Sequence, residues 1–214
     1  MKIVPGISNG NLSYKMVDHS FSDISFELSH ILKASKTIDR DFLLANPSVE
    51  KHIINFVKSS LFGLSDFYPQ FDQWLKKKVL PGLIAGERSI LLQYTCGRFS
   101  GLAIVKDDGF EKKLCCLRVL PEFQGSGAGL QLFERTFETL NNDMPLLSIA
   151  EEQKENFKKI FSYYGFELAK QYKNYYRPKK DELSFNGLID QKFEANATDF
   201  NSSPSGLILL PAKC

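Results

Sequence analysis

The run Val119-Leu120-Pro121-Glu122-Phe123-Gln124-Gly125-Ser126-Gly127-Ala128-Gly129 constrains this chain more than any other stretch. Three glycines at alternate positions stand between a strand-like segment and a helical pattern. Glycine permits a tight turn and lets backbone approach a ligand closely. The helix that follows aims its positive end at the same point, so a phosphate or diphosphate is the natural guest. Two familiar phosphate loops do not fit. No Gly-Lys-Ser/Thr follows Gly129, and the spacing Gly125-x-Gly127-x-Gly129 is not Gly-x-Gly-x-x-Gly.

The flanking pattern places the loop within a domain. Glu111 to Val119 reads as a strand, with Leu114, Leu117 and Val119 among its apolar positions. Leu130, Phe133, Phe137 and Leu140 fall on one face of a helix after the loop. Pro145 to Ala150 is a short apolar run, read as a buried strand. Gln153 to Tyr164 reads as a helix running into Gly165-Phe166. Upstream, Pro47-Ser48 opens a helix carrying Val49, Ile53, Ile54, Phe56 and Val57. Phe67 to Leu80 suggests a second helix, ended by Pro81-Gly82. Ser89 to Thr95 and Gly101 to Lys106 form a strand pair around Gly97-Arg98. The order is helix, helix, three strands, loop, helix, strand, helix, strand, with one or two closing strands over Tyr172 to Tyr176 and Leu183 to Leu188. The first fifteen residues look strand-like or irregular. Ser20 to Leu28 suits a strand or a helix. From Gln191 the chain turns polar and reads as a surface tail, whose last apolar stretch, Leu207 to Leu210, has a docking character.

Gln124-x-x-Gly127-x-Gly129 after a strand ending in Val-x-Pro resembles the diphosphate loop of the GNAT superfamily, the acyl-CoA-dependent N-acetyltransferases. The helix followed by Gly165-Phe166 and a strand resembles the second signature of that superfamily. The resemblance covers roughly residues 87 to 177 and leaves the subfamily open. It implies an α/β (α+β) fold: a mixed, mostly antiparallel sheet flanked by helices, with the fourth and fifth strands splayed. Residues 47–190 are the expected GNAT domain. Residues 1–46 are an extension able to add a first strand, and residues 191–214 a polar tail.

The resemblance also implies acetyl-CoA as co-substrate and no metal. Pantetheine would lie between the splayed strands like an extra strand, along the backbone of Leu117, Arg118 and Val119. Gln124, Gly125, Ser126, Gly127, Ala128, Gly129 and Leu130 would hold the diphosphate. Asn156 is similar to the pantetheine-binding asparagine of the family, two residues nearer the glycine. The implied reaction is direct attack of a primary amine on the thioester, with a backbone N–H at the developing oxyanion. The acceptor is open between a small molecule and a protein, and the chain between monomer and homodimer. The alternative is a catalytically weak CoA-binding or regulatory module.

One residue departs from the pattern. Phe161 stands four residues before Gly165, where the family carries a tyrosine as general acid. Tyr163 and Tyr164 are the nearby hydroxyls, and a shift of two or three positions turns a helical side chain well over 90° away. Both also suit packing, and water can protonate a thiolate whose acid resembles the ~8.5 of a cysteine thiol. For the base, Glu111 shares strand parity with Leu117 and Val119, and Glu151 and Glu152 follow the fifth strand. Each also suits a surface or helix-start role.

Composition narrows the partners. A net charge of +2, from 27 basic and 25 acidic residues, gives no strong field for nucleic acid. Lys76-Lys77-Lys78 reads as a solvated helix face. Cys96, Cys115, Cys116 and Cys214 show neither metal-ligand spacing nor a Cys-x-x-Cys motif, and strand alternation puts Cys115 and Cys116 on opposite faces. His19, His30 and His52 lie outside the motifs, and Trp74 reads as a core anchor. No apolar run has signal-peptide or membrane-spanning character, so the expected compartment is the cytoplasm.

Overall fold

A computed structural model describes residues 26–189 and the short strand Ile208–Leu209. The readings made for the first fifteen residues, for His19 and for the polar stretch 191–207 lie outside the described residues. Helix α1 (Phe26–Ser35) takes the helical option for its part of Ser20 to Leu28. It leads through β1 (Thr37–Ile38) into α2 (Arg40–Ala45), whose first turn is capped by the Asp39 carboxylate accepting from the Phe42 N–H at 2.8 Å. Leu28, Leu32, Ile38, Phe42 and Leu43 are all part of the main core. These residues share one core with the later elements, and β1, the first strand among the described residues, pairs with the next.

Helix α3 (Glu50–Ser60) buries Ile53, Phe56 and Val57 as their spacing requires. The second helical segment departs from expectation. It starts at α4 (Phe71–Trp74), widens into a π-turn over Leu75–Val79, and continues as α5 (Leu80–Ala85) through Pro81-Gly82. Proline has no N–H to give, and a local π-turn changes which carbonyls need one. Gly82 is required by packing: a Cβ there would lie 2.7 Å from Cδ of Arg88. Gly86, at φ 80°, ends the helix. Lys76, Lys77 and Lys78 point to solvent as expected.

Strands β2 (Arg88–Thr95), β3 (Arg98–Asp107) and β4 (Lys112–Val119) form an antiparallel meander. After the loop, α6 (Ala128–Leu140) packs on this meander, burying Ala128, Leu132, Phe133, Thr136 and Leu140. Leu130, expected on that apolar face, is instead 42% exposed in the first turn. Arg135 fastens α6 to the far side of the sheet, donating to the Leu92 carbonyl at 2.7 Å and the Lys36 carbonyl at 2.9 Å. Then come β5 (Leu147–Ala150), α7 (Lys154–Tyr164), β6 (Leu168–Arg177) and β7 (Lys180–Phe185).

The strands make two sheets, with orders β1-β2-β3-β4-β8 and β5-β7-β6, β8 being Ile208–Leu209. Strands β4 and β5 touch only at the start of each. The Leu114 N–H donates to the Leu146 carbonyl and the Leu146 N–H to the Lys112 carbonyl, both at 3.0 Å. From there they diverge into a V that opens toward Val119 and Ala150. A bulge assists the divergence: Ile104 pairs with Cys116 and Val105 with Leu114, so Cys115 is an extra residue.

The bulge corrects two sequence expectations. It reverses the side-chain alternation along β4, so Glu111 does not share parity with Leu117 and Val119. It also brings the two adjacent thiols into one neighbourhood: both are buried, and each acts electrostatically on the Tyr68–Tyr176 pair. Among the described residues no three His, Cys, Asp or Glu side chains gather as a metal site.

Candidate functional site

The glycine loop leaves β4 at Leu120, whose N–H is tied to the Ser100 carbonyl at 2.8 Å. Pro121–Phe123 makes one 3-10 turn, and Phe123 is buried as its anchor. Ser126 then folds back on that turn, its N–H and Oγ both donating to the Phe123 carbonyl at 3.2 and 2.6 Å. Gly125 and Gly127 have φ of 79° and 85°, backbone that side chains disfavour. A Cβ at either would meet nothing within 4 Å, so geometry and not crowding calls for glycine there. Gly129 faces the other way, with a Cβ position 3.6 Å from Cγ2 of Val119.

The first helical bond of α6 runs from the Gln131 N–H to the Gly127 carbonyl. Among the described residues, the N–H groups of Ala128, Gly129 and Leu130 have no acceptor. They stand at the positive end of a thirteen-residue helix, beside open space. An anion can be bound there by backbone alone.

The loop sits at the open end of the V. Val119 faces α6, through its contact with Gly129. Arg118 takes the opposite face and donates from Nη1 to the Phe62 carbonyl after α3. The backbone of Leu117, Arg118 and Val119 thus borders the V on one side and β5 borders it on the other. Strand β8 lies in this gap, parallel to β4 with Cys116 paired to Ile208 and Leu117 to Leu209. It also lies against β5.

Behind the V, on the face covered by the early helices, is a buried polar cluster that the sequence did not reveal. Glu182 of β7 is 2% exposed and accepts from Ser148 Oγ at 2.8 Å and Tyr68 OH at 3.3 Å. Burial pushes its carboxyl up to about 8, outweighing those two bonds and the charges of Lys113 and Arg177. Burial likewise lowers the Lys113 ammonium, against the pull of Cys115, Glu111 and Glu182. Desolvation therefore beats attraction on both sides of this pair. Tyr68 and Tyr176 meet edge to face at 5.0 Å, and burial followed by Glu182 raises both phenols well above the usual value. Arg88 donates to the Cys115 sulfur at 3.1 Å and stands over the Trp74 ring, which is a buried core anchor as expected.

The candidate catalytic side chains are scattered. Glu111 lies at the closed end of the V, its carboxylate 2.8 Å from Lys106 Nζ, which Asp108 also holds at 2.8 Å. Glu151 begins the 3-10 turn directly after β5, at the open end. Its neighbour Glu152 is bound by Arg177 at 2.7 Å and Lys180 at 3.1 Å. Burial would raise the Glu152 carboxyl, but a backbone hydrogen bond and the two cations hold it below its usual value.

Phe161 is a core residue, packed on Phe185 at 4.5 Å, Phe166 at 5.4 Å and Phe157 at 5.5 Å. The Tyr164 ring packs against Phe137 and Phe133 of α6, and its hydroxyl is buried without a partner among the described residues. Tyr163 is 75% exposed. Asn156 donates from Nδ2 to Gln153 Oε1 at 3.0 Å.

No family profile matches the sequence, and no curated protein matches it. Solved structures do match the fold. A protein assigned to the GNAT acetyltransferase family from Desulfovibrio desulfuricans superposes with a TM-score of 0.50 at 15% identity, over 63% of this chain and 90% of that one. The ribosomal-protein-alanine N-acetyltransferase of Brucella melitensis has a TM-score of 0.43 at 18% identity, over 65% and 91% of the two chains. The aminoglycoside 6'-N-acetyltransferase of Enterococcus faecium has 0.43 at 10%, over 66% and 91%. With the fourth and fifth strands parted, a glycine turn opening the next helix and the first of these superpositions, the chain has the GNAT fold.

Proposed function

We propose that this protein moves an acetyl group from acetyl-CoA to a primary amine. The observation that carries the reading is the start of α6: among the described residues, three N–H groups without acceptors follow a glycine turn uncrowded at Gly125 and Gly127, at the mouth of a V between strands. The donors suit a diphosphate, since backbone N–H groups at a helix start satisfy its oxygens and the dipole favours its charge. The V suits an extended, amide-containing arm, since the bordering strands turn backbone donors and acceptors toward the gap, where among the described residues β4 is paired only at Cys116 and Leu117, to the two-residue strand β8.

In this reading Gln124 to Leu130 anchor the diphosphate. Leu117, Arg118 and Val119 orient the pantetheine arm and direct a backbone N–H to the thioester carbonyl oxygen, where negative charge grows during attack. Such donors are worth a few kcal/mol in acyl transfer. Of the carboxylates, Glu151 is the best placed base, because it stands at the open end of the V and Glu111 at the closed end. Glu151 accepts the proton that the amine nitrogen loses as the new C–N bond forms and the C–S bond breaks. Water protonates the departing thiolate, because the Tyr164 hydroxyl is enclosed by the aromatic cluster and Tyr163 faces bulk solvent. Asn156 stands in the first turn of α7 as a further contact for the arm. The acceptor is an amine-bearing small molecule or protein.

Calorimetric titration with acetyl-CoA and CoA tests the binding half of the proposal. Thiol release from acetyl-CoA in the presence of an amine panel tests the chemistry. Binding without any thiol release above background would leave only a CoA-binding module; no binding at millimolar ligand would remove the reading altogether.

A further inference from the structure

The V is already occupied by this chain itself. Strand β8 pairs parallel with β4 at Cys116 and Leu117, within the same stretch of backbone that borders the loop, and it reaches β5 across the gap. Strand β5 also runs parallel to β4 where the two touch, at Lys113 and Leu146. Ile208–Leu209 thus takes up the parallel pairing of β4 where β5 has turned away. We infer that the C-terminal segment is an internal competitor: it fills the place of the pantetheine arm on β4, and it must withdraw before acetyl-CoA can seat fully. The inference rests on the reading of the V as the seat of that arm.

The physical case has three parts. A strand edge opened by a bulge is a ready template for any extended chain, and covering it is a usual remedy. Ile208–Leu209, which covers it, belongs in the sequence to Leu207 to Leu210, the one apolar run in a polar stretch. The ladder is only two residues long. So short a pairing is weak enough to exchange with a ligand that gains further binding energy at the glycine loop. Among the described residues, none lies within 4 Å of a Cβ placed at Gly125 or Gly127 of the loop. A diphosphate alone could therefore bind with the segment in place, whereas the whole of CoA could not.

That difference provides the test. The affinities of CoA and of 3′-phosphoadenosine diphosphate, which lacks the arm, are measured for the full chain, for a chain ending at Asn201, and for a full-length Ile208→Pro variant. Proline cannot donate to a strand ladder, so the last variant frees the gap without shortening the chain. Both altered proteins should bind CoA about tenfold or more tightly than the full chain, the factor expected when the competent state is a minor one. Their affinity for the armless nucleotide should be unchanged. Hydrogen exchange of the β4 amides from Cys116 to Val119 should quicken in both without ligand. Equal CoA affinity in all three proteins, or weaker binding after truncation, would overturn the inference while leaving CoA binding intact. Failure of every protein to bind CoA would instead overturn the functional reading, and the inference with it.

Discussion

Replacing Glu182 by glutamine should change how stability depends on pH, and the sign follows from its surroundings. Glutamine keeps the shape and an oxygen to accept from Ser148 Oγ, so the variant should fold. In the native protein the Glu182 carboxyl is raised from the ordinary 4.5 to about 8 by burial. A raised pKa means that the folded state holds a proton which the unfolded state has released. Stability from this group is therefore complete below about 4.5 and is lost progressively as pH rises to about 8. One proton sets a ceiling of about 1.4 kcal/mol per pH unit, and across this window the loss amounts to a few kcal/mol. Urea unfolding of both proteins at intervals from pH 5 to pH 9 measures it. The variant's advantage over the native chain should grow from pH 5 to about 8 and then level off. Lys113, whose lowered pKa acts in the opposite sense at higher pH, is coupled to Glu182, so the difference between the two curves reports the titration of the pair. A flat difference, or one that favours glutamate as pH rises, would refute the argument and mean that Lys113 stabilises an ionised Glu182.

Two further outcomes follow from the strands around the V. Gly101→Ala should destabilise the fold by about 1–3 kcal/mol, because its Cβ would lie 2.3 Å from the Arg118 carbonyl oxygen and force β3 from β4; thermal unfolding measures this, and the CoA affinity of the folded fraction should weaken as well. Glu151→Gln should lower the rate of amine acetylation about 10²-fold or more while leaving CoA affinity unchanged, which separates a proton acceptor from a structural residue; an unaltered rate would send the search for the base elsewhere.

The sequence exposes the elements that obey local rules. The meander, the loop, α6 and α7 are each visible from apolar spacing and from glycine and proline at their ends. What it hides depends on contacts distant along the chain. Pro81 looks like a helix stop, yet the π-turn at Leu75–Val79 carries the helix past it. Two adjacent cysteines read as opposite faces until pairing with β3 makes Cys115 a bulge, which also undoes the parity argument for Glu111. Glu182 stands just before the closing-strand run Leu183 to Leu188, and no local pattern marks it as buried. In the sheet that strand is central, between β5 and β6, and both of its faces are covered. Leu207 to Leu210 has a docking character in the sequence, but only the parallel pairing to β4 tells where its Ile208 and Leu209 go.

The glycine turn bears the whole functional account, and Gly127 is the residue through which to test it. Alanine at this position incurs left-handed strain of about 1–2 kcal/mol but meets no atom, so Gly127→Ala serves as the folding control. Gly127→Glu adds the same strain together with a negative charge beside the Ala128–Leu130 amides. Titrated with CoA in parallel, the alanine variant should retain binding and the glutamate variant should lose it, with both still unfolding cooperatively. Undiminished CoA binding by a folded Gly127→Glu protein would contradict the account at its centre.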